Sequence, residues 1–240
     1  MSDEQLTNAN IIPLGYYIVR KSGKKARPSW VLPDYLTVAG CLCEGVMPGL
    51  ESALFDEEEI SRAWDLSPRD ARRLYDFGQE HCTQINYELF YIFFDYDTPA
   101  RICREFFEGR ADVLIIGLGT TDTHFLESPG IRKVAPLPEN AVLLGWDLYE
   151  FGDYAQEGEP LPPLNYNRQG TLGVLGLGCT FACCDSDGAL PKRLGVQLNT
   201  MGMYPDVTSA TKAADIVNEE RLGEPCHYLP FALFRCDKSR

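Results

Sequence analysis

The amino-acid sequence predicts a mixed α/β or α+β fold, in which several short helices pack on a mixed sheet in a compact globular unit. Two observations lead to this prediction. Short runs of apolar, aromatic and β-branched residues alternate with stretches that carry strong helix-start signals. Apolar residues make up 45% and aromatic residues 11% of the chain, so the sequence can build an ordinary globular core.

The first third of the chain predicts a hairpin followed by two helices. Residues 15–32 combine a β-branched and aromatic run with a Ser-Gly turn and a return strand. Residues 56–80 predict two helical pieces. In the second piece Ser67 is the expected cap, Pro68 fits the first helical position, and Asp70 completes the capping box.

The middle of the chain predicts a strand, a helix and a second strand. Residues 87–95 are dense in aromatic side chains and favour a buried strand. A helix is expected from Thr98-Pro99, and Gly109 can end it. Residues 113–116 form the next apolar run, so this order has the size of a βαβ unit.

The last hundred residues predict a strand at 141–149 and then a long loop or linker at 152–170, where Gly, Pro and Glu are concentrated. The remaining predicted elements are strands at 171–182 and 193–198, a capped helix at 208–222 and a strand at 226–235. Because proline cannot donate to a sheet, Pro230 is expected to confine the last strand to an edge or a bulge.

The linker-like segment suggests a division of the chain. The predicted parts are an N-terminal α/β region at 1–152, a loop or linker at 153–170 and a C-terminal α/β region at 171–240. A single domain with one long internal loop is the alternative, since 240 residues fit either arrangement.

An excess of negative charge limits the partners that the protein can have. The chain carries 35 acidic and 22 basic residues, a net charge of −13. Residues 51–110 are net −7 and residues 111–170 are net −6. Such a protein repels nucleic acid and anionic lipid and attracts basic surfaces. The candidate partner-binding residues in this region are Asp56, Glu57, Glu58, Glu59, Asp153, Glu157 and Glu159.

These properties predict an intracellular binding or inhibitor protein that needs no cofactor and engages a basic protein through an acidic face. In composition the chain is similar to bacterial immunity proteins, which are small, acidic and cytosolic and neutralise toxins. The polar, acidic N-terminus has no apolar signal region, so we expect a cytoplasmic protein. Nine cysteines, an odd number, are expected to be reduced thiols, mostly in the core.

An enzymatic alternative rests on Asp95 and Asp97, which follow the aromatic strand. Two carboxylates at this position can hold Mg²⁺ through their oxygens. The segment IFFDYDT resembles the first motif of haloacid-dehalogenase-type phosphohydrolases, which implies Asp95 as nucleophile and Asp97 as acid/base. Thr98-Pro99 stands where that family usually has Gly-Thr. In the structural alternative, Asp97 or Thr98 caps the helix that follows.

Three further patterns have a functional and a structural interpretation. Cys179, Cys183 and Cys184 have spacing that a zinc site allows, with Cys41, Cys43 or the Cys226-His227 pair as partners, but buried thiols are favoured. Gly117-Leu-Gly119 lacks the third glycine of a dinucleotide-binding loop. The basic residues within 20–27 suit a hairpin tip that keeps a sheet edge soluble.

Overall fold

The secondary structure of the chain is seen in a computed structural model, which describes residues 11–20, 57–81, 85–86, 92–127, 134–156, 158–164, 166, 181, 188–200 and 202–236. The strands are β1 (Ile12–Arg20), β2 (Ile85–Asn86), β3 (Ile92–Phe93), β4 (Val113–Thr120), β5 (Val142–Phe151) and β6 (His227–Arg235). The α-helices are α1 (Glu57–Trp64), α2 (Pro68–His81), α3 (Asp97–Phe106), α4 (Ala189–Leu194) and α5 (Val207–Glu220). A short 3-10 helix spans Thr123–Glu127.

The strands form one sheet in the order β2-β3-β1-β4-β6-β5, and each described pairing is antiparallel. Since β3 and β4 are both antiparallel to β1, they run parallel to each other, and α3 connects them. The predicted βαβ unit is therefore present, with β1 inserted between its two strands. Helices and strands together confirm the mixed α/β fold, although the sheet, predicted to be mixed, is antiparallel in each described pairing.

The sheet has an apolar core on each face. On one face, helix residues such as Trp64, Ile102 and Ala213 pack with Tyr16 and Phe234 of the sheet. The other face carries a second cluster. Its buried aromatic side chains are Tyr17, Phe125, Tyr149, Phe151 and Phe231. Both sides of the sheet are thus buried, which explains why β4 is apolar almost throughout rather than alternating.

The helix-start signals have the expected geometry. Helix α2 begins at Pro68, the backbone N–H of Asp70 donates to Ser67 Oγ at 3.1 Å, and Ser67 Oγ donates to the Asp70 carboxylate at 2.9 Å. Helix α5 begins in the same way, because Asp206 accepts the backbone N–H of Ser209 at 2.7 Å and its Oγ–H at 3.0 Å. The two predicted pieces at 56–80 and the helix at 208–222 are confirmed, with ends shifted by one or two residues.

The predicted strand at 193–198 is wrong. Residues Ala189–Leu194 form helix α4, and Gly195 ends it in the left-handed region at φ 65°. Pro191 lies in the first turn of this short helix, where its missing N–H costs no helical bond. Leu190 and Pro191 are buried, so packing and the flanking glycines determine the conformation here.

The strand at 226–235 is confirmed, but its predicted place at an edge or a bulge is wrong, because β6 lies between β4 and β5 and its pairing with β5 has no register shift at Pro230. Pro230 pairs with Leu148, and the backbone of Trp146, two residues earlier in β5, bonds outward to Tyr204. Along an antiparallel pair this alternation points the Pro230 nitrogen away from β5. On that side the pairing with β4 begins only at Ala232, so the proline removes no ladder bond.

Other predictions are confirmed in part or fall outside the described residues. Strand β1 is the first strand of the predicted hairpin, whose turn and return strand lie outside the described part. Of the predicted strand at 171–182, only buried Phe181 is described. The strand at 113–116 extends to Thr120. The chain division at 153–170 stays a prediction. None of the described helices is long and apolar enough to cross a membrane.

Candidate functional site at one end of the sheet

The carboxyl ends of β4 and β5 lie at the same end of the sheet. Thr120, the last residue of β4, pairs with Ile12 at the start of β1. Phe151, the last residue of β5, pairs with His227 at the start of β6. Because β6 is antiparallel to both β4 and β5, the segments that follow these two strands leave the sheet at the same end. We call this place the sheet end.

Asp122, His124 and Tyr166 form a connected polar cluster at the sheet end. One oxygen of the Asp122 carboxylate accepts the backbone N–H of His124 at 3.0 Å and contacts the His124 Nδ1 atom at 2.8 Å. The other oxygen accepts the hydroxyl of Tyr166 at 2.7 Å. The imidazole and the Tyr166 ring stack with centroids 5.3 Å apart. Asp122 therefore fixes two aromatic side chains that are 42 residues apart in sequence.

The electrostatic setting of Asp122 favours its ionised form. Burial by itself raises the pKa of the Asp122 carboxyl, but the hydrogen bonds from Tyr166 and His124 outweigh it and hold the pKa below its ordinary value. For Tyr166, burial and then the bond to the Asp122 carboxylate raise the pKa of the phenol. The pair is thus a neutral phenol that donates to a carboxylate, a charge-assisted hydrogen bond.

Aromatic packing holds this cluster on the sheet. Phe125 is 1% exposed, and its ring lies 4.9 Å from that of Phe151 and 5.0 Å from that of Tyr166, measured between centroids. Phe231 of β6 completes the group at 5.7 Å from Phe125. Asp122, His124 and Tyr166 are not among the candidate site residues that the sequence predicts. The local signal, Asp-x-His directly after a strand, is present, but nothing in the sequence links it to Tyr166.

The chain between β5 and Tyr166 crosses the sheet end. We call its described residues, 152–156, 158–164 and 166, the strap. Ala155 N–H donates to the Pro225 carbonyl at 2.7 Å, and Arg221 donates to the Glu159 carbonyl at 2.9 Å. The His227 Nε2 atom contacts the Pro162 carbonyl at 2.8 Å. With the Tyr166 bond to Asp122, these contacts take the strap from β5 past β6 to β4.

A buried carboxylate lies where the strap begins. Glu150 is 3% exposed and accepts the hydroxyls of Tyr154 at 2.6 Å and Tyr228 at 3.0 Å. The Tyr228 hydroxyl also accepts the backbone N–H of Glu224 at 3.1 Å. Glu150 thus connects β5, β6, the strap and the turn after α5 through hydrogen bonds that satisfy its buried polar side chain.

Acidic and exposed apolar side chains occur together in the segments that meet at the sheet end. Glu127, Asp153, Glu159 and Glu224 lie there, and we call these four residues the acidic rim. Residues 134–167 contain six acidic residues and no Lys or Arg. In the described part of the chain five large apolar side chains are exposed. Three of these belong to the sheet end: Leu126 at 48%, Tyr154 at 51% and Leu222 at 42%.

The predicted acidic residues fall into two groups on different elements. Glu57 and Glu58 lie on α1, where Glu57 forms an ion pair with Arg72 of α2. Asp153 and Glu159 lie in the strap. Asp56, Glu157 and the side chain of Glu59 lie outside the described residues. A single face that unites both groups stays a prediction, and the second group is the one at the sheet end.

Asp95 acts as a helix cap. Its two carboxylate oxygens accept the backbone N–H of Thr98 at 2.7 Å and the Thr98 Oγ–H at 3.1 Å, as those of Asp206 do with Ser209 at α5. Asp97 is the first residue of α3 and is exposed. The capping alternative named Asp97 or Thr98, whereas the acceptor is Asp95. A carboxylate with both oxygens engaged in this way fits a cap better than a magnesium site.

The described part of the chain contains no group of three or more His, Cys, Asp or Glu side chains that could hold a metal ion. Of the cysteine candidates Cys226 is described, at 2% exposure, and the neighbouring His227 contacts Pro162. Gly117 and Gly119 lie inside β4 rather than in a loop before a helix. A Cβ atom at Gly117 would come within 2.7 Å of Leu137, so close packing explains this glycine.

The chain matches no protein-family model, no curated protein and no solved structure.

Proposed function

We propose that this protein is a cytoplasmic binding or inhibitor protein that engages a basic protein partner through the acidic rim and strap. The carrying observation is that acidic side chains and exposed apolar side chains occur in the same segments at one end of the sheet. Buried apolar anchors within a charged periphery are the usual composition of a protein–protein interface. An immunity protein that neutralises a basic toxin or enzyme is one form of this function.

The charge distribution supports this class over nucleic-acid or membrane binding. Residues 51–170 carry the whole charge deficit of 13. Opposite charge on a partner would speed encounter and select against other acidic proteins.

The test is direct binding to a basic partner isolated from the native host, including the product of any gene adjacent to this one. We expect association rates that fall steeply between about 50 and 200 mM salt, because screening weakens long-range attraction. Neutralising Asp153, Glu159 and Glu224 as amides should weaken binding about tenfold. A matched variant neutralises Glu105, Glu108 and Glu139, three exposed acids that precede the starts of β4 and β5, and should bind normally.

Two results would overturn the proposal. One is that no basic protein associates with the chain. The other is that neutralising the three rim residues and neutralising the three control residues weaken binding equally, since general loss of charge would then explain the effect.

The phosphohydrolase remains the alternative, and it rests on the IFFDYDT resemblance. Its test is hydrolysis of an aryl phosphate with Mg²⁺ by wild type, Asp95→Asn and the matched cap variant Asp206→Asn. Asparagine caps helices about as well as aspartate, so both variants should fold. Activity that is lost in Asp95→Asn and kept in Asp206→Asn would favour the enzyme over the binding protein.

A further inference from the structure

The strap has little apolar burial of its own. None of its described residues is buried, and Leu164 and Tyr166 are the two whose side chains pack against the second core. Segments with few buried contacts open at low free-energy cost, so individual hydrogen bonds decide whether they are ordered. The ties at Ala155, Glu159 and Pro162 use backbone atoms of the strap. On the side of β4, the hydrogen bond that depends on a side chain of the strap is the one from the Tyr166 hydroxyl to Asp122.

The Asp122 carboxylate, which accepts the Tyr166 hydroxyl, is also held by other contacts. Asp122 is held by the backbone N–H and the imidazole of His124, and its own N–H donates to Oγ1 of Thr120 at 3.1 Å. Thr120 is 2% exposed at the end of β4. The second Asp122 oxygen is therefore fixed relative to the sheet before Tyr166 binds it.

We infer that Asp122, His124 and Tyr166 form a latch that orders the acidic strap for partner binding. This inference rests on the proposed function and names how that same surface is organised. A disordered strap would lose conformational entropy on association, and ordering it beforehand avoids that cost. The latch residues are positioning residues, because the partner contacts belong to the strap and the rim.

The first experiment needs no partner. Tyr166→Phe removes one hydroxyl and keeps the ring contacts with His124, Phe125 and Phe151. Hydrogen–deuterium exchange of peptides from 152–166 should become roughly tenfold faster, as expected for losing a hydrogen bond to a charged group in a weakly held segment. Tyr75→Phe, on α2, is the control and should leave exchange of the strap unchanged.

A double-mutant cycle identifies the pair. Asp122→Ala should also speed exchange of the strap, and the double variant should exchange no faster than the more affected single variant, because each single change already removes the hydrogen bond between Tyr166 and Asp122. Unchanged exchange in Tyr166→Phe, or fully additive effects of the two variants, would overturn the latch.

Affinity measurements with the partner test whether the latch contributes to binding. With the partner in hand, Tyr166→Phe should lower affinity about as much as it speeds exchange, and the strap should be protected in the complex. Faster exchange with unchanged affinity would overturn the link between latch and binding. If no partner binds at all, the proposed function fails, while the exchange experiment still decides whether the latch exists.

Discussion

Single hydroxyl–carboxylate pairs start three helices of this fold. Ser67 with Asp70, Asp95 with Thr98, and Asp206 with Ser209 each satisfy a backbone N–H that the helix leaves without an internal partner. The Ser67 signal was predictable because proline follows it. Asp95 was not assigned as the cap because a catalytic motif and a capping motif use the same residue types. At the scale of one residue, hydrogen-bond partners distinguish the two.

Asp122 gives the clearest prediction for a single side chain. Its folded pKa lies below the ordinary value, so its contribution to stability is complete above the unfolded pKa, about 4, and is lost as pH falls through the folded value. Urea unfolding of wild type and Asp122→Asn from pH 7 to pH 2 checks this. The difference in unfolding free energy should stay constant down to about pH 4 and shrink below it. A difference that grows with acidity would contradict the assignment.

Secondary-structure elements were predictable where their signals are local. The starts of α2 and α5 lie directly after their capping residues. Strands β4 and β5 coincide with apolar runs in the sequence. The errors at α4 and β6 have a common cause. A short apolar run near glycine or proline fits either a helix or a strand, and neighbouring elements determine which forms. Strand β6 can hold Pro230 in the middle of the sheet because its pairing with β4 begins only at Ala232. The sequence of β6 does not show where β4 ends.

The pairing of β5 with β6 shifts its register between Leu143 and Gly145, and this irregularity allows a test at the scale of elements. Gly145 has φ 149°, and a Cβ atom there would lie 2.6 Å from the Met203 Cβ atom and 2.7 Å from the Asn199 side-chain nitrogen. Gly145→Ala should lower the free energy of unfolding by roughly 3 kcal/mol, combining backbone strain with overpacking. Gly195→Ala, at φ 65° with nothing within 4 Å, should cost about 1 kcal/mol. Equal losses in chemical denaturation would contradict the role of close packing at Gly145.

The order of strands links distant parts of the chain. β6, from the C-terminal segment, pairs with both β4 and β5, from the segment before residue 152. Through these pairings the sheet end brings together the 3-10 helix, the strap and the turn after α5. The acidic rim therefore combines residues from three separate stretches of sequence.

This topology predicts the behaviour of a fragment. Residues 1–152 lack β6, so Phe231, Leu233 and Phe234, each 0% exposed in the fold, have no counterpart there. We expect the fragment to unfold without a cooperative transition when urea denaturation is followed by circular dichroism. Adding a peptide of residues 188–240 should restore cooperativity if the missing strand and helices are the cause. A cooperative fragment would contradict this prediction and support the division at 153–170.

The sequence by itself determined the fold class, the helix starts, the apolar strands and the charge deficit, because each depends on residue type and on neighbours within a few positions. Tertiary structure alone decided that β6 is central and that Tyr166 meets Asp122. The physical reason is distance along the chain. Hydrogen bonds and packing between residues 42 or more positions apart depend on strand order and register, which local pattern does not specify.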